Sequence, residues 1–334
     1  MIRLDRNESS YPPSPLVKEI LSKYVDRLNR YEVEELREEL LCELEKYTGV
    51  SREYIDFYPG SSMPLLLMMI VAKVKNLELL MPHPTFHVLY SLAESFGVST
   101  RLFQLSGSFE LNKVKFFRLT DGRLVYLANP NNPSGNLLFE DPDFVKKIAD
   151  RAELVFVDEA YYEFSGFTVK DLVPELSNLV VTRSLSKAFS VAGARFGYVI
   201  AGRRAMNVLN TLRIGYETPI LSQAVALASL RDREYMMMVV EKVKFTRDMV
   251  RRRLLELGFW SPESRANFLF IRVGEPCGRV WRALREQGVL TLCFDSVKGF
   301  ENYSEYLRVT VGKPEEMWVF LDVLRKATTD GSSL

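Results

Sequence analysis

Lys187 stands in the run Ser184-Leu-Ser-Lys187-Ala-Phe-Ser-Val-Ala-Gly-Ala-Arg195-Phe-Gly-Tyr198, among small and hydroxyl-bearing residues and eight positions ahead of Arg195. A lysine that attacks a carbonyl to form a Schiff base must be partly desolvated, so that its amine can lose a proton. Small neighbours leave room for a flat partner, and an arginine can fork onto a phosphate. Taken alone, such a lysine is better explained by an exposed loop, so its meaning rests on other groups. Leu154-Val-Phe-Val157 runs directly into Asp158-Glu-Ala-Tyr161. A carboxylate at the end of a buried strand is costly unless paired. Two carboxylates also suit a metal, but no histidine or third ligand is near in sequence. One aspartate facing a protonated heterocyclic nitrogen fits better, since each charge stabilises the other. Tyr161 would then donate to an oxygen of the same ring.

Two further segments carry polar groups. Asn129-Pro-Asn-Asn132-Pro-Ser-Gly135 follows an apolar strand and fixes a rigid turn at its carboxyl end, the edge where α/β sheets bind ligands. Such a turn is a plain loop or a place for an asparagine amide to reach a ring oxygen. Gly60-Ser61-Ser62 precedes a helical segment with Pro64 in its first turn. It reads either as an ordinary serine N-cap or as an anion cradle of amide groups, two hydroxyls and a helix N-terminus. Jointly, the four segments describe a holder for a phosphorylated pyridine aldehyde.

The elements that must position these groups alternate. Helical periodicity covers Glu32 to Tyr47, Ser62 to Lys75, Thr85 to Phe96 and Asp143 to Arg151. Strand-like runs occupy residues 54–58, 77–81, 99–104, 124–128, 154–157, 179–182 and 196–200. Short continuous apolar strands alternating with helices predict an α/β sheet covered on both faces. After Pro219 a long helical region, Leu221 to Leu257 with breaks, leads into a smaller α+β unit: strands 268–273, 289–293 and 306–311, helices 278–287 and 315–326.

Composition narrows the function classes. The chain has 334 residues, 47% hydrophobic and 26% charged, enough for two units with a sizeable core. Net charge is +1, so neither a nucleic-acid footprint nor an anionic membrane surface is expected. The apolar stretch Met63 to Val74 is interrupted by Pro64 and is too short to span a bilayer, and a cytoplasmic location is the expectation. Cys42, Cys277 and Cys293 are odd in number and widely spaced, which predicts neither a disulfide framework nor a zinc site. His83 and His87 flank a proline and lack the glutamate of a zinc-binding helix, so a packing or polar role is expected for both.

On Asn132-Pro-Ser-Gly135, Asp158-Glu-Ala-Tyr161 and Ser184-x-x-Lys187…Arg195, the chain resembles fold-type I pyridoxal-phosphate (PLP) aminotransferases over nearly its whole length. Within that superfamily it is most similar to the histidinol-phosphate aminotransferases. Leu4-Asp-Arg-Asn7-Glu8-Ser-Ser-Tyr11, Ser264-Arg-Ala-Asn267-Phe-Leu269 and Leu307-Arg308-Val-Thr310-Val-Gly312 stand where that family carries matching segments. The resemblance implies a large PLP-binding domain (35–235) with a mostly parallel mixed sheet between helices, and a smaller α+β domain (236–334). An N-terminal segment (1–34) would pack on the small domain and on the partner subunit of a homodimer.

The resemblance also implies roles. Lys187 carries the cofactor and shuttles the proton, and Asp158 keeps the pyridine nitrogen protonated. Asn132 and Tyr161 hold the ring oxygen, and Phe86 stacks on the ring. Ser61, Ser62, Ser184 and Arg195 bind the cofactor phosphate, joined by Tyr31 from the partner subunit. Arg308 clamps the substrate carboxylate, Asn132 and Tyr11 also face the substrate, and no metal is involved. The implied reaction moves an amino group from L-histidinol phosphate to 2-oxoglutarate in histidine biosynthesis. Threonine-phosphate decarboxylation, an aromatic or other amino-acid transaminase, and a PLP-sensing regulator are the alternatives. Departures fall at Pro59 and Ser62 in the phosphate turn, at Ser9-Ser10 after Asn7-Glu8, and at Arg213-Ile-Gly-Tyr216-Glu217, where Glu217 would alter the distal end of the substrate site.

Overall fold

The structure, a computed structural model, describes residues 1–274 and 276–329. Its centre is a seven-stranded sheet in the spatial order Ile55–Tyr58, Gly197–Ala201, Leu179–Ser184, Leu154–Asp158, Leu124–Ala128, Leu79–His83, Thr100–Gln104. Only Gly197–Ala201 runs antiparallel to its neighbours. The predicted mixed, mostly parallel sheet is therefore the observed one. Side-chain alternation divides the core: Val125 and Leu127 pack into one buried cluster, while Leu124, Tyr126 and Ala128 pack into another on the opposite face. Both faces are covered, which is why the strands read as continuous apolar runs.

The long helical region divides at Asp232, whose carboxylate caps the second helix by accepting from Tyr235 N. The helices are Ile220–Arg231, buried almost throughout, and Arg233–Glu256. Beyond lies a three-stranded antiparallel sheet ordered Leu292–Cys293, Tyr306–Thr310, Phe268–Arg272, covered by helices Gly278–Glu286 and Pro314–Thr329. The apolar run 289–293 is not the single strand expected. Val289–Leu290 pairs in parallel with Ile2–Arg3, and Leu292–Cys293 pairs with Leu307 and Arg308. One short run thus joins the N-terminal strap to the second sheet. Among the described residues, no helix is long and apolar enough to cross a membrane.

Two expectations are corrected here. Cys277 and Cys293 form a disulfide, because strand Leu292–Cys293 returns beside the start of helix Gly278–Glu286 and brings the two Cα atoms to 5.7 Å. The helix expected from Thr85 starts at Val88. Thr85 Oγ1 donates to Asn131 Oδ1 (2.9 Å) and Asn131 Nδ2 donates to the Pro84 carbonyl (3.0 Å), which holds this stretch out as a loop.

Candidate active site

The carboxyl ends of the parallel strands open into a cleft of about 800 Å³. Asp158 and Ser184 are the last residues of their strands, and the Asn129–Gly135 turn and Phe86 follow two others. The opposite wall comes from the strap residues Asp5, Arg6 and Asn7, with Arg308, Trp281 and Thr291 of the second unit. Lys187, Asp158, Tyr161, Asn132, Phe86, Ser61, Ser62, Ser184, Arg195 and Arg308 all line this one cleft, although they are spread over most of the chain.

Asp158 is buried, and burial raises its carboxyl to about 6. Its two oxygens accept from Tyr126 Oη (2.9 Å) and Ala160 N (3.0 Å). Those bonds lower the value but do not offset desolvation. Lys187 is shifted the other way: burial first, then the nearby Arg308 guanidinium, brings its amine down to about 8. Its Nζ donates to the Arg6 carbonyl at 3.0 Å. A lowered value leaves a larger share of the amine unprotonated than in an ordinary lysine, as nucleophilic attack on a carbonyl requires.

Ser61 and Ser62 stand at the N-terminus of helix Ser62–Val74, the positive end of its dipole, and both line the cleft. Two glycines make the approach possible. A methyl on Gly60 would lie 2.7 Å from Arg195 Nη2, and one on Gly197 would collide with the Ser61 amide nitrogen. Arg195 donates to the Ala192 carbonyl (3.2 Å) and has no carboxylate partner among the described residues. Ser184 Oγ accepts from Ser186 N (3.2 Å), and Ser186 also lines the cleft.

On the second wall, the buried Arg308 donates from Nη1 to Asn132 Oδ1 and from Nη2 to the Asp5 carbonyl, each at 2.8 Å. Its Nε is buried and has no hydrogen-bond partner among the described residues. Burial lowers its pKa from the ordinary arginine value. His87 also lines the cleft; burial, then Arg308, brings its imidazole to about 4, so it is neutral at physiological pH. His83 instead bonds Tyr90 Oη through Nδ1 at 2.5 Å, away from the cleft lining.

Other expected residues are placed elsewhere. The Tyr11 ring lies near the Lys242 and Lys313 amines (5.6 and 5.7 Å) and outside the cleft lining. Tyr31 is 85% exposed beside Tyr216 and does not reach its own chain's cleft. Glu217 closes its own loop: it accepts from Arg213 Nη2 (2.9 Å) and from the amides of Ile214 and Gly215. Arg213 is also paired with Asp56. Sequence reading did not single out Asn7 as a site residue, nor Tyr126, Ser186 or the strap carbonyls. Period-two alternation back from Ala128 was the available signal for Tyr126; the strap carbonyls carry none.

The chain matches the aminotransferase class I and II family over residues 1–324. It belongs to that family. It is 32% identical over 328 residues to the histidinol-phosphate aminotransferase of Geotalea uraniireducens, covering 97% of this chain and 92% of that one. Its fold is similar to that of a putative histidinol-phosphate aminotransferase from Erwinia carotovora atroseptica, with TM-score 0.89, 22% identity, and 99% and 96% of the two chains covered. It is also similar to the histidinol-phosphate aminotransferase of Sinorhizobium meliloti in complex with pyridoxal-5′-phosphate, with TM-score 0.85, 21% identity, and 98% and 91% covered. The protein is thus a PLP-dependent aminotransferase of fold type I. The donor set fits that cofactor. Among the described residues, the buried Asp158 carboxylate has no salt-bridge partner, Arg195 has no carboxylate partner beside a helix N-terminus, and Lys187 is an amine with a lowered pKa.

Proposed function

We propose that the protein transfers the amino group of L-histidinol phosphate to 2-oxoglutarate, yielding imidazole-acetol phosphate and L-glutamate in histidine biosynthesis. The observation that carries this reading is the likeness to histidinol-phosphate aminotransferase at 32% identity across 97% of the chain. Bound PLP supplies the electron sink. Around it, Lys187 binds the cofactor and moves the proton, and Asp158 provides the counter-charge for the pyridine nitrogen. Tyr161 and Asn132 hold the ring oxygen, and Phe86 packs on the ring. Ser61, Ser62, Ser184 and Arg195 take the cofactor phosphate. Arg308 binds the anionic group of either substrate, for which its unpartnered buried Nε supports an open coordination. A carboxylate or a phosphate fits such a fork.

The same reading makes the enzyme a homodimer in which Tyr31 completes the partner's phosphate site and Tyr11 closes over substrate. The exposed neighbours Tyr31, Tyr216 and Ile214 support a covered surface there. It divides the chain into a strap (1–34), a PLP-binding domain (35–235) and a small domain (236–334), and places the enzyme in the cytoplasm with its water-soluble substrates.

The test is a half-reaction without 2-oxoacid. Histidinol phosphate should bleach the visible absorbance of the bound cofactor rapidly, and phenylalanine should not. Equal bleaching by phenylalanine would make this a broader transaminase. Carbon dioxide release from threonine phosphate would replace the reading with a decarboxylase.

A further inference from the structure

Three consecutive strap residues each meet a different group of the cleft. The Asp5 carbonyl accepts from Arg308, the Arg6 carbonyl accepts from Lys187, and Asn7 Nδ2 donates to Tyr161 Oη at 2.9 Å. Asn7 is 1% exposed and sits at φ 54°, a left-handed conformation that asparagine tolerates better than most residues. Its amide orientation is fixed by its surroundings. Asn7 N donates to Thr310 Oγ1 (2.9 Å), so the Thr310 hydroxyl hydrogen is free to turn to Asn7 Oδ1 (3.3 Å). Asn267 Nδ2 donates to the Asn7 carbonyl (3.1 Å). With Oδ1 accepting from the Thr310 hydroxyl, Nδ2 is the atom that faces Tyr161.

A second chain of donors reaches the same phenol. Arg308 can only donate, so Asn132 Oδ1 accepts, and Asn132 Nδ2 is turned toward Tyr161 Oη at 3.5 Å. The phenol oxygen therefore receives two amide donors. A tyrosine hydroxyl has one hydrogen and two acceptor sites. With both acceptor sites facing donors, its own hydrogen has only the cleft to point into.

We propose that Asn7 is a positioning residue that sets the polarity of Tyr161, forcing the phenol to donate to the oxygen of the bound cofactor ring. The inference rests on the role given to Tyr161 above. A donor to that oxygen favours its anionic form and so holds the pKa of the bound chromophore down.

Asn7→Asp is the decisive substitution. It keeps the shape and tolerates the backbone angle, but offers Tyr161 an acceptor instead of a donor, pulling the hydroxyl hydrogen away from the cleft. Asn7→Gly keeps the angle and removes the side chain. The readouts are the pH titration of the cofactor's visible absorbance and its dissociation constant, in both variants, in Tyr161→Phe and in Asn7→Asp/Tyr161→Phe. We expect Asn7→Asp and Tyr161→Phe each to raise the chromophore pKa and to weaken cofactor binding about tenfold, the scale of a hydrogen bond to a charged group. The double variant should resemble Tyr161→Phe alone.

Three results overturn the inference. One is an unchanged chromophore pKa in Asn7→Asp while Tyr161→Phe shifts it. Another is a shift that persists in full when Tyr161 is already phenylalanine, which would make it a through-space effect of the new charge. The third is equal loss of thermal stability in Asn7→Asp and Asn7→Gly with no spectral change, which would reduce Asn7 to a tether. If Tyr161→Phe itself leaves the spectrum unmoved, it is the role of Tyr161 in the proposed function that fails.

Discussion

Asp158→Asn should stabilise the cofactor-free protein and weaken the loaded one. In the folded chain without a cationic partner, burial holds this carboxyl at about 6 against an ordinary value of 3.8. That rise corresponds to about 3 kcal/mol between the two protonation states. Because the folded pKa lies above the unfolded one, the stability is present below pH 3.8 and is lost as pH rises through about 6. At about pH 8 the cofactor-free protein therefore carries the full cost of a buried charge. The carboxamide removes that charge. Its oxygen can keep the Ala160 amide, and its NH2 can donate to Tyr126 Oη, which is able to accept. The shifted value already includes the hydrogen bonds to the charged form, so the net gain at high pH is about 3 kcal/mol. Urea unfolding of cofactor-stripped wild type and variant, across about pH 4 to about pH 8, measures it. The two stabilities should diverge as pH rises through the window, and adding PLP at high pH should reverse their order. Parallel stability curves would refute the assignment of a buried, unpaired charge to Asp158.

Two other outcomes follow from packing and cross-linking. Gly197→Ala drives a methyl into the Ser61 backbone amide and should cost about 1–3 kcal/mol while loosening cofactor binding; unchanged cofactor affinity would mean that the phosphate turn shifts freely. Reducing the Cys277–Cys293 disulfide, which closes a loop of sequence separation 16, should lower stability by about 3 kcal/mol in urea unfolding. Cys277→Ser/Cys293→Ser should not respond to reductant, and a wild type equally indifferent would show that the thiols are unpaired in solution.

What the sequence disclosed follows a physical divide. Strand Leu124–Ala128 lies where its apolar run ends against Asn129, and Leu154–Asp158 exceeds its expected span by one residue, Asp158, which lines the cleft. Both are buried on two faces, so composition alone marks them. The helix starts later than Thr85 because periodicity knows nothing of Asn131, which donates to the Pro84 carbonyl from the turn after the neighbouring strand. Run 289–293 looked uniform, yet its halves serve different sheets, a division set by the partners Arg3 and Arg308. Cys277 and Cys293 carry no pairing signal in their spacing; only the return of a strand beside a helix start makes them neighbours. For the site, side chains with distinctive chemistry such as Lys187, Asp158 and Arg308 were legible. Backbone carbonyls such as those of Asp5 and Arg6 were not, because every residue has one.

The strap also sets an order of events. Asn7 is synthesised long before Thr310, to which its amide donates across a sequence separation of 303, and Asp5 waits as long for Arg308. Contacts so remote close late, after local structure has formed. During translation the large sheet can collapse around Lys187 while Asp5 and Asn7 of the strap still lack Arg308 and Thr310. The nascent chain therefore holds an assembled scaffold with an unfinished reaction centre until its final third has emerged.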